Sequence, residues 1–263
     1  MKTMDTRPIG IFDSGVGGLS VFQEIKKFLP KENYIFIADQ KNVPYGGKSK
    51  YQLCKISDRI VKYFIKRNVK MVIIACNTAS CYAIDFLRKK YPSLLLVGTI
   101  PAIKTAAELS RRKSIAVLST PATAKSSYVR ELIRKYAARV TVANIGCPNL
   151  EDLVEQGMIN SPQVKILLKK YLKKALIHGP DYVVLGCTHY PFLKSAIQRL
   201  SKVKTVDSGR AIAKRVENVL SNSRIKNNRK SSVTYLTTGN PEFFSKTASQ
   251  LLRSGIIAEK LEI

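Results

Sequence analysis

The sequence predicts an α/β protein made of two similar α/β domains, with mainly parallel sheets and a functional site in the cleft between them. Short apolar runs rich in β-branched residues, such as those within Met71–Ser80 and Tyr182–Pro191, are typical of buried parallel strands. Helical patterns alternate with these runs, as expected of βαβ units. In both stretches the apolar run leads to a cysteine, and hydroxyl or amide residues then open a helix.

An internal repeat divides the chain into two halves. The order strand, polar turn, helix, strand, helix, strand and cysteine runs from Asp13 to Cys76 and again from Thr120 to Cys187, with separations of 63 and 67 residues. Such similar spacing indicates related halves even where residue identity is weak. We therefore predict an N-terminal domain of residues 1–98 plus 208–263 and a second domain of residues 99–207.

The remaining elements are predicted from apolar runs for strands and from helical periodicity for helices. The further strands are Ile9–Phe12, Tyr34–Ala38, Leu94–Gly98, Ile115–Leu118, Val140–Ile145, Val203–Val206 and Val233–Thr237. The helices are one that ends near Leu29, Ser49–Arg67, Thr78–Lys90, Ala102–Leu109, one long helix from the Ser119–Thr123 turn through Tyr136, Pro162–Ile177, one that follows Gly209 to about Leu220, and one from Pro241. The polar stretch Ser221–Ser232 is predicted to be an exposed loop.

Composition excludes several classes of protein. The hydrophobic fraction of 45% is typical of a folded soluble chain. No apolar run approaches the roughly eighteen residues of a membrane helix, and the N-terminus has no signal-peptide core. Five cysteines without regular spacing argue against a disulfide framework and for a reducing compartment. We therefore expect a cytoplasmic protein that does not bind a membrane.

The charge is strongly basic, because 45 Lys and Arg against 18 Asp and Glu give a net charge of +27. Such an excess allows binding to nucleic acid or another polyanion. The basic residues are nevertheless spread along the chain. One helical face carries several of them, and we favour a solvated face over a functional basic stripe as its interpretation. That face consists of Lys55, Arg59, Lys62, Lys66 and Lys70.

Cys76 and Cys187 are the candidate reactive groups. Each lies between a predicted strand and a predicted helix, at the sheet edge where ligands bind in open α/β folds. The positive end of a helix dipole lowers the pKa of a nearby thiol, so we expect a raised thiolate fraction at both. The other cysteines lack this symmetry and are predicted to be packing residues: Cys54, Cys81 and Cys147.

Three kinds of site could use two thiols. A metal site has few candidate ligands, since His178 and His189 are the only histidines and no Cys-x-x-Cys spacing occurs. A covalent Cys-His hydrolase could pair Cys187 with His189. A two-base proton-transfer site needs an acid and a base on opposite faces of one carbon, and thiols from two facing halves suit it best.

Two turns that follow strands complete the candidate pocket. Asp13–Gly18, DSGVGG, permits a tight strand-to-helix turn whose amides could hold an anion. It lacks the third glycine of a dinucleotide fingerprint at its proper spacing, so nucleotide binding is disfavoured. Pro44–Gly47 follows the second strand and forms a plausible pocket wall at the same sheet edge.

Seven motifs fall in the order and spacing that resemble glutamate racemases, over about Ile9 to Val219. They read IGIFDSGVGGLSV, IADQKNVPYGGKS, VIIACNTAS, VGTIPAIKTA, CPNLEDLVEQG, VVLGCTHYPFL and TVDSG. The resemblance implies two α/β domains with the active site between them. It also implies racemisation of glutamate without a cofactor, which supplies D-glutamate for peptidoglycan synthesis.

Carried over by motif, the resemblance implies that Cys76 and Cys187 are the paired acid and base. Asp13 and His189 resemble the groups that assist the two thiols, and Glu155 resembles a partner of His189. The implied substrate-binding residues are Asp13, Ser14, Tyr45, Gly46, Asn77, Thr78, Thr188 and His189. No metal ligand is implied.

The chain departs from the family pattern at two places. Ser119-Thr120 stands where a Gly-Thr turn is usual, and Glu151-Asp152 stands where apolar residues and a proline are usual. Two alternatives to glutamate racemisation stay open. One is racemisation of aspartate or another acidic amino acid. The other is an added role in binding nucleic acid or gyrase, suggested by the basic charge and by the resemblance to a family in which some members have such roles. A homodimer is a further alternative to a monomer.

Overall fold

The computed structural model describes residues 5–222 and 231–263, and these residues form ten strands in two sheets. All strand pairs are parallel. The strands are β1 Ile9–Asp13, β2 Tyr34–Ala38, β3 Met71–Ile74, β4 Leu96–Gly98, β5 Ser114–Ser119, β6 Thr141–Gly146, β7 Tyr182–Leu185, β8 Lys204–Val206, β9 Val233–Thr237 and β10 Ala258–Lys260. The predicted α/β fold class with parallel sheets is confirmed.

Helices connect the strands and cover both sheets. They are α1 Leu19–Phe28, α2 Lys50–Lys66, α3 Asn77–Lys90, α4 Ile103–Leu109, α5 Pro121–Lys125, α6 Ser127–Tyr136, α7 Leu150–Glu155, α8 Pro162–Ala175, α9 Lys194–Ser201, α10 Gly209–Asn222 and α11 Pro241–Leu252. Short 3-10 helices follow β1, β2 and β7. Among the residues described, no helix combines the length and the apolar character needed to cross a membrane.

The two sheets share one strand order. The six-stranded sheet runs β10-β9-β2-β1-β3-β4, and the four-stranded sheet runs β6-β5-β7-β8. The segment β2-β1-β3-β4 therefore matches β6-β5-β7-β8 strand for strand, with β1 equivalent to β5 and β3 equivalent to β7. We call the six-stranded sheet with its helices the first lobe and the four-stranded sheet with its helices the second lobe. Cys76 and Cys187 follow equivalent strands, as the internal repeat predicts.

The central strands are buried because helices cover both faces of each sheet. Every residue of β1, β3 and β5 is buried. One cluster of buried apolar side chains runs from Leu19 and Phe22 in the first lobe to Leu118 and Leu185 in the second. The lobes thus share apolar surface that leaves water when they meet, and this burial stabilises their contact.

Local polar groups fix the ends of several helices. Ser49 caps α2, since its hydroxyl accepts from the Gln52 N–H while the Gln52 side chain accepts from the Ser49 N–H. This capping box satisfies two backbone donors that the helix leaves unpaired. The apolar face of α2 is buried, and it includes Leu53, Ile56, Ile60 and Phe64.

The structure corrects two predicted elements and adds one strand. The single long helix to Tyr136 is two helices, because Ser126 has extended backbone angles and its hydroxyl caps α6 at the Val129 N–H. The predicted loop from Ser221 begins too early, since α10 continues to Asn222; residues 223–230 of that loop lie outside the described residues. The short edge strand β10 was not predicted.

Lys70 was placed on the exposed face of a helix, and this is wrong. The helix α2 ends at Lys66, and the Lys70 side chain is fully buried. Its ammonium donates to the Glu32 carboxylate at 2.6 Å and to the Asp5 carbonyl oxygen at 2.9 Å. Burial of a charge requires such partners, because desolvation of an ion otherwise costs several kcal/mol.

Replacing Glu32 by Gln should therefore destabilise the protein, because the buried Lys70 ammonium loses its carboxylate. We expect the free energy of unfolding in urea to fall by about 3–5 kcal/mol. The matched control is Asp85→Asn, since Asp85 forms an exposed ion pair with Arg88, and its loss should stay below about 1 kcal/mol. Equal effects of the two substitutions would contradict this role of Glu32.

Candidate active site

A narrow cavity lies between the lobes, beyond the carboxyl ends of β1, β3, β5 and β7. Its volume is about 10 Å³, which is close to the space of one water molecule. The first lobe contributes Ser14, Val43, Pro44, Tyr45, Gly46, Cys76, Asn77 and Thr78, and the second contributes Thr120, Glu151, Cys187, Thr188 and His189. The two cysteines thus enter one cavity from different lobes.

Cys76 is the N-cap residue of α3. Its sulfur accepts a hydrogen bond from the Ala79 N–H at 3.5 Å. The next residue, Asn77, is buried, and among the described residues its side-chain Nδ2 has no hydrogen-bond partner. An unpaired buried donor beside the first turn of a helix suits a carboxylate ligand, because helix N-termini attract anions.

Cys187 belongs to a chain of contacts that ends at a carboxylate. The Cys187 sulfur lies 3.4 Å from Nδ1 of His189, and Nε2 of the same ring lies 2.6 Å from Oε1 of Glu155. Glu155 also accepts from the Val16 N–H at 2.7 Å and from the Gln40 side chain at 3.0 Å. Since Val16 and Gln40 belong to the first lobe, Glu155 joins the lobes and orients His189.

Charge in this chain favours an ionised His189. Burial alone would lower the pKa of His189, but Cys187 and Glu155 together raise it well above its ordinary value. Burial also acts to raise the pKa of Glu155. The hydrogen bond and positive charge of His189, with the hydrogen bonds from Gln40 and the Val16 N–H, nevertheless lower that pKa. Burial raises the pKa of the Cys187 thiol while His189 opposes the rise. His189 therefore supports a thiolate at Cys187.

Cys76 lies in a different electrostatic environment. Burial and the negative charge of Asp13 raise the pKa of Cys76 well above its ordinary value, and the Ala79 N–H opposes them only in part. The expectation that helix dipoles lower both thiol pKa values is wrong, because burial in a dry cavity penalises the thiolate more than one helix start stabilises it. In addition, Cys187 precedes a 3-10 helix rather than an α-helix.

Asp13 lies behind the cavity wall and does not line it. Its carboxylate accepts from the backbone N–H groups of Gly15 at 3.2 Å and Gly18 at 2.9 Å. The Thr188 hydroxyl of the second lobe donates to it at 3.2 Å. Burial raises the pKa of Asp13, while the positive charge of His189 opposes the rise.

Two glycines permit the close approach of the lobes. A Cβ on Gly15 would overlap the Glu155 carboxylate, and a Cβ on Gly17 would lie 2.5 Å from Nδ1 of His189. Glycine is needed at these two positions of the GVGG turn because His189 and Glu155 pack directly on its backbone. The amides of the turn hold anions of the protein itself, since the Val16 N–H donates to Glu155 and the N–H groups of Gly15 and Gly18 donate to Asp13.

Tyr45 and Gly46 of the predicted loop wall line the cavity. The Tyr45 hydroxyl donates to the Asp39 carboxylate at 2.7 Å, and the Thr238 hydroxyl donates to the same carboxylate at 2.8 Å. These bonds hold the loop against the first sheet. Opposite the loop, the Thr78 hydroxyl of α3 lies 2.9 Å from the Thr120 hydroxyl of the second lobe.

The cavity brings together nine of the eleven residues that the sequence singled out. Asp13 and Glu155 are the exceptions, since they contact cavity residues from behind. The site also contains Pro44 of the predicted loop wall, together with Val43, Thr120 and Glu151, which were not assigned to it. Thr120 occupies the position of Asp13 in the internal repeat, and this equivalence could have predicted that Thr120 belongs to the site. Cys54, Cys81 and Cys147 do not line the cavity.

In the described ranges, no group of three or more His, Cys, Asp or Glu side chains is arranged to hold a metal ion. The cavity offers thiols, hydroxyls, an amide, one histidine and the Glu151 carboxyl group. Hydroxyl and amide groups can donate to an anion, and thiols and a histidine can exchange protons.

Comparison with known proteins agrees with this chemistry. The model of the Asp/Glu/hydantoin racemase family matches residues 10–216. The chain belongs to this family. It is 37% identical to the glutamate racemase of Roseiflexus sp., over 95% of this chain and 94% of that protein. The resemblance to glutamate racemases seen in the sequence is thereby confirmed.

Solved structures of family members share the whole fold. A glutamate racemase isoform of Bacillus anthracis superposes with a TM-score of 0.90 at 28% identity, over 98% of each chain. The glutamate racemase of Francisella tularensis, solved in complex with D-glutamate, superposes with a TM-score of 0.87 at 28% identity, also over 98% of each chain.

Replacing Glu155 by Gln should make the Cys187 thiol less reactive. The change removes the anion that raises the pKa of His189, so the ring loses positive charge and the Cys187 thiolate loses its stabilising partner. We expect alkylation of Cys187 by iodoacetamide at pH 7.5, read by peptide mass spectrometry, to slow about tenfold or more. The exposed substitution Glu131→Gln is the control, and a Cys187 rate equal to the wild-type rate would contradict the role of Glu155.

Proposed function

We propose that this protein interconverts L- and D-glutamate by two-base proton transfer between Cys76 and Cys187. One observation carries the proposal: two thiols, one from each lobe and each following an equivalent strand, line the same cavity. A two-base racemase needs this arrangement, because one group removes the α-proton while another delivers a proton to the opposite face. Relatives named glutamate racemase, one of them holding D-glutamate, support glutamate as the substrate.

The two thiols start from unequal protonation states. His189 opposes the effect of burial on the pKa of Cys187, whereas Asp13 adds to it at Cys76. In the unliganded protein Cys187 is therefore the thiol that ionises first, and Cys76 keeps its proton. For the enantiomer whose α-hydrogen faces Cys187, the thiolate that removes the proton and the thiol that delivers one are both already in the required state. Turnover of that enantiomer leaves the thiolate at Cys76, the state required for the reverse direction.

Donors around the cavity suit a dicarboxylate. The Asn77 side chain and the first turn of α3 offer hydrogen bonds to one carboxylate. The hydroxyls of Ser14, Thr78, Thr120 and Thr188 also lie in or at the wall. We assign the substrate-binding role to these groups together with Tyr45, Gly46 and His189. Asp13 and Glu155 act through Thr188 and His189.

A cavity of about 10 Å³ is smaller than glutamate, so the lobes must separate to admit it and close again around it. Closure removes water from both thiols and from the reacting carbon. In a dry site the fixed dipoles of the cavity stabilise developing carbanion charge more strongly than water would. The chemistry therefore depends on contacts between the lobes.

The decisive experiment incubates the purified protein with L-glutamate in heavy water, without added cofactor. We expect D-glutamate to form with deuterium at the α-carbon, because solvent-exchanged thiols deliver the proton. Cys76→Ser and Cys187→Ser should each lower kcat for racemisation by at least about a thousandfold, since hydroxyl groups ionise too weakly to act as the base. Cys54→Ser is the control and should retain wild-type kcat.

Wild-type protein that neither exchanges the α-hydrogen nor forms D-glutamate would contradict the proposal. Retained racemisation in either Ser variant would contradict the two-thiol assignment. The same assay with L-aspartate addresses the alternative substrate, and we expect a lower kcat/KM for aspartate than for glutamate.

Several broader predictions belong with this proposal. They are the domain boundaries 1–98 plus 208–263 and 99–207, supply of D-glutamate for peptidoglycan synthesis in the cytoplasm, and a homodimer. For binding of nucleic acid or gyrase, the supporting feature is a surface groove lined by Lys48, Lys55, Arg59 and Lys62. Lys70 no longer belongs to that basic face.

A further inference from the structure

Glu151 is an acidic side chain in the wall of the cavity. It lies in the first turn of α7 and is only 6% exposed. Among the described residues, its Oε2 atom has no hydrogen-bond partner. Its Oε1 atom faces Gly46 of the opposite lobe, since a Cβ on that glycine would lie 3.3 Å away. Of the cavity residues named above, it is the one with a carboxyl group.

An ionised Glu151 would be unfavourable in this position. A buried carboxylate oxygen without a hydrogen-bond partner loses its hydration and gains nothing in return. The proposed substrate carries two further carboxylates, and like charges repel strongly where water is excluded. A neutral carboxyl group avoids both costs, and its O–H can donate to an anion.

The positive charge of His189 offsets the charge of Glu151 only in part, since the pKa of Glu151 is still raised. The titratable groups that face it from its own and neighbouring elements are Cys147, Asp152, Tyr171, Cys187, His189 and Tyr190. His189 is the one base among them, and both of its ring nitrogens already contact Cys187 and Glu155. Burial raises the pKa of Glu151 and Asp152 adds to the rise, while the backbone N–H of Glu151 and the positive charge of His189 oppose it.

We propose that Glu151 binds the substrate as a neutral carboxylic acid, donating a hydrogen bond to one carboxylate of glutamate, and that its ionisation weakens substrate binding. The inference rests on the proposed function, because it takes glutamate as the occupant of the cavity. It makes Glu151 a determinant of substrate affinity that responds to pH, alongside the Asn77 side chain and the start of α3.

The direction of the pH dependence follows from the raised pKa of Glu151. Below that pKa the carboxyl group is protonated, donates to the substrate and carries no charge. Above it, glutamate binding must first take up a proton. The dissociation constant of glutamate therefore rises with pH, by up to about tenfold per unit.

The test measures the dissociation constant of racemic glutamate by calorimetry between pH 6 and pH 9. A racemic ligand keeps its composition during any turnover. Wild type should bind more weakly as pH rises. Glu151→Gln keeps a neutral donor of the same shape, so it should bind as tightly as wild type at pH 6 and show a clearly flatter pH profile. Glu151→Leu should also flatten the profile but bind about tenfold more weakly at pH 6, since the donor is lost.

Glu131→Gln is the control, because Glu131 is exposed on α6, lies outside the cavity lining and does not contribute to the raised pKa of Glu151. Its pH profile should follow wild type. Thermal melting of each variant shows whether it is folded. If one of the Gln and Leu variants fails to fold, the pH profile of the other still tests the inference. The pH profile separates the inference from a packing role, since a packing defect would weaken binding equally at every pH.

Two results would overturn the inference. If Glu151→Gln keeps the wild-type pH profile, Glu151 does not control binding. If Glu151→Gln binds weakly at every pH, the side chain acts as a carboxylate that accepts from the substrate ammonium group. If either result is obtained and the wild-type protein still exchanges the α-hydrogen of glutamate, only this inference is wrong and the proposed function stands. Absence of that exchange, by contrast, removes the proposed function and with it the premise of the inference.

Discussion

The carboxylate of Glu155 is the point at which the two lobes and the reactive chemistry meet. It belongs to the second lobe, accepts hydrogen bonds from Val16 and Gln40 of the first, and holds the His189 ring at 2.6 Å. Asp13 makes the reverse connection, from the first lobe to the Thr188 hydroxyl. Each lobe thus completes the acid–base site of the other, and a correctly charged site exists only when the lobes are closed.

The two thiols are unequal within a symmetric framework. The repeated strand order places Cys76 and Cys187 at equivalent positions, so the backbone treats them alike. Their neighbours differ, because Cys187 has an ionised histidine beside it and Cys76 has the negative charge of Asp13. Burial raises both pKa values, which keeps either thiol able to return a proton as well as remove one. A permanently stable thiolate would be a poor acid in the second half of the reaction.

The sequence was sufficient for the parallel strands and the cysteine pair, because buried apolar runs and a repeated order are local or periodic signals. It was insufficient where distant groups decide the outcome. The direction in which the pKa of Cys76 shifts depends on burial and on Asp13. The surroundings of the Glu151 carboxyl group include Gly46 of the other lobe. The edge strand β10 escaped prediction because AEK has only three residues and no apolar alternation. The break at Ser126 escaped because a capping serine does not interrupt the helical period.

The most direct test of the account is a crystal structure of the protein with glutamate bound. We expect the α-carbon between the sulfur atoms of Cys76 and Cys187, with one sulfur on each face and both within roughly 3–3.5 Å of it. A complex in which both sulfur atoms lie on one face of the α-carbon, or in which only one of them approaches it, would contradict proton transfer between two thiols.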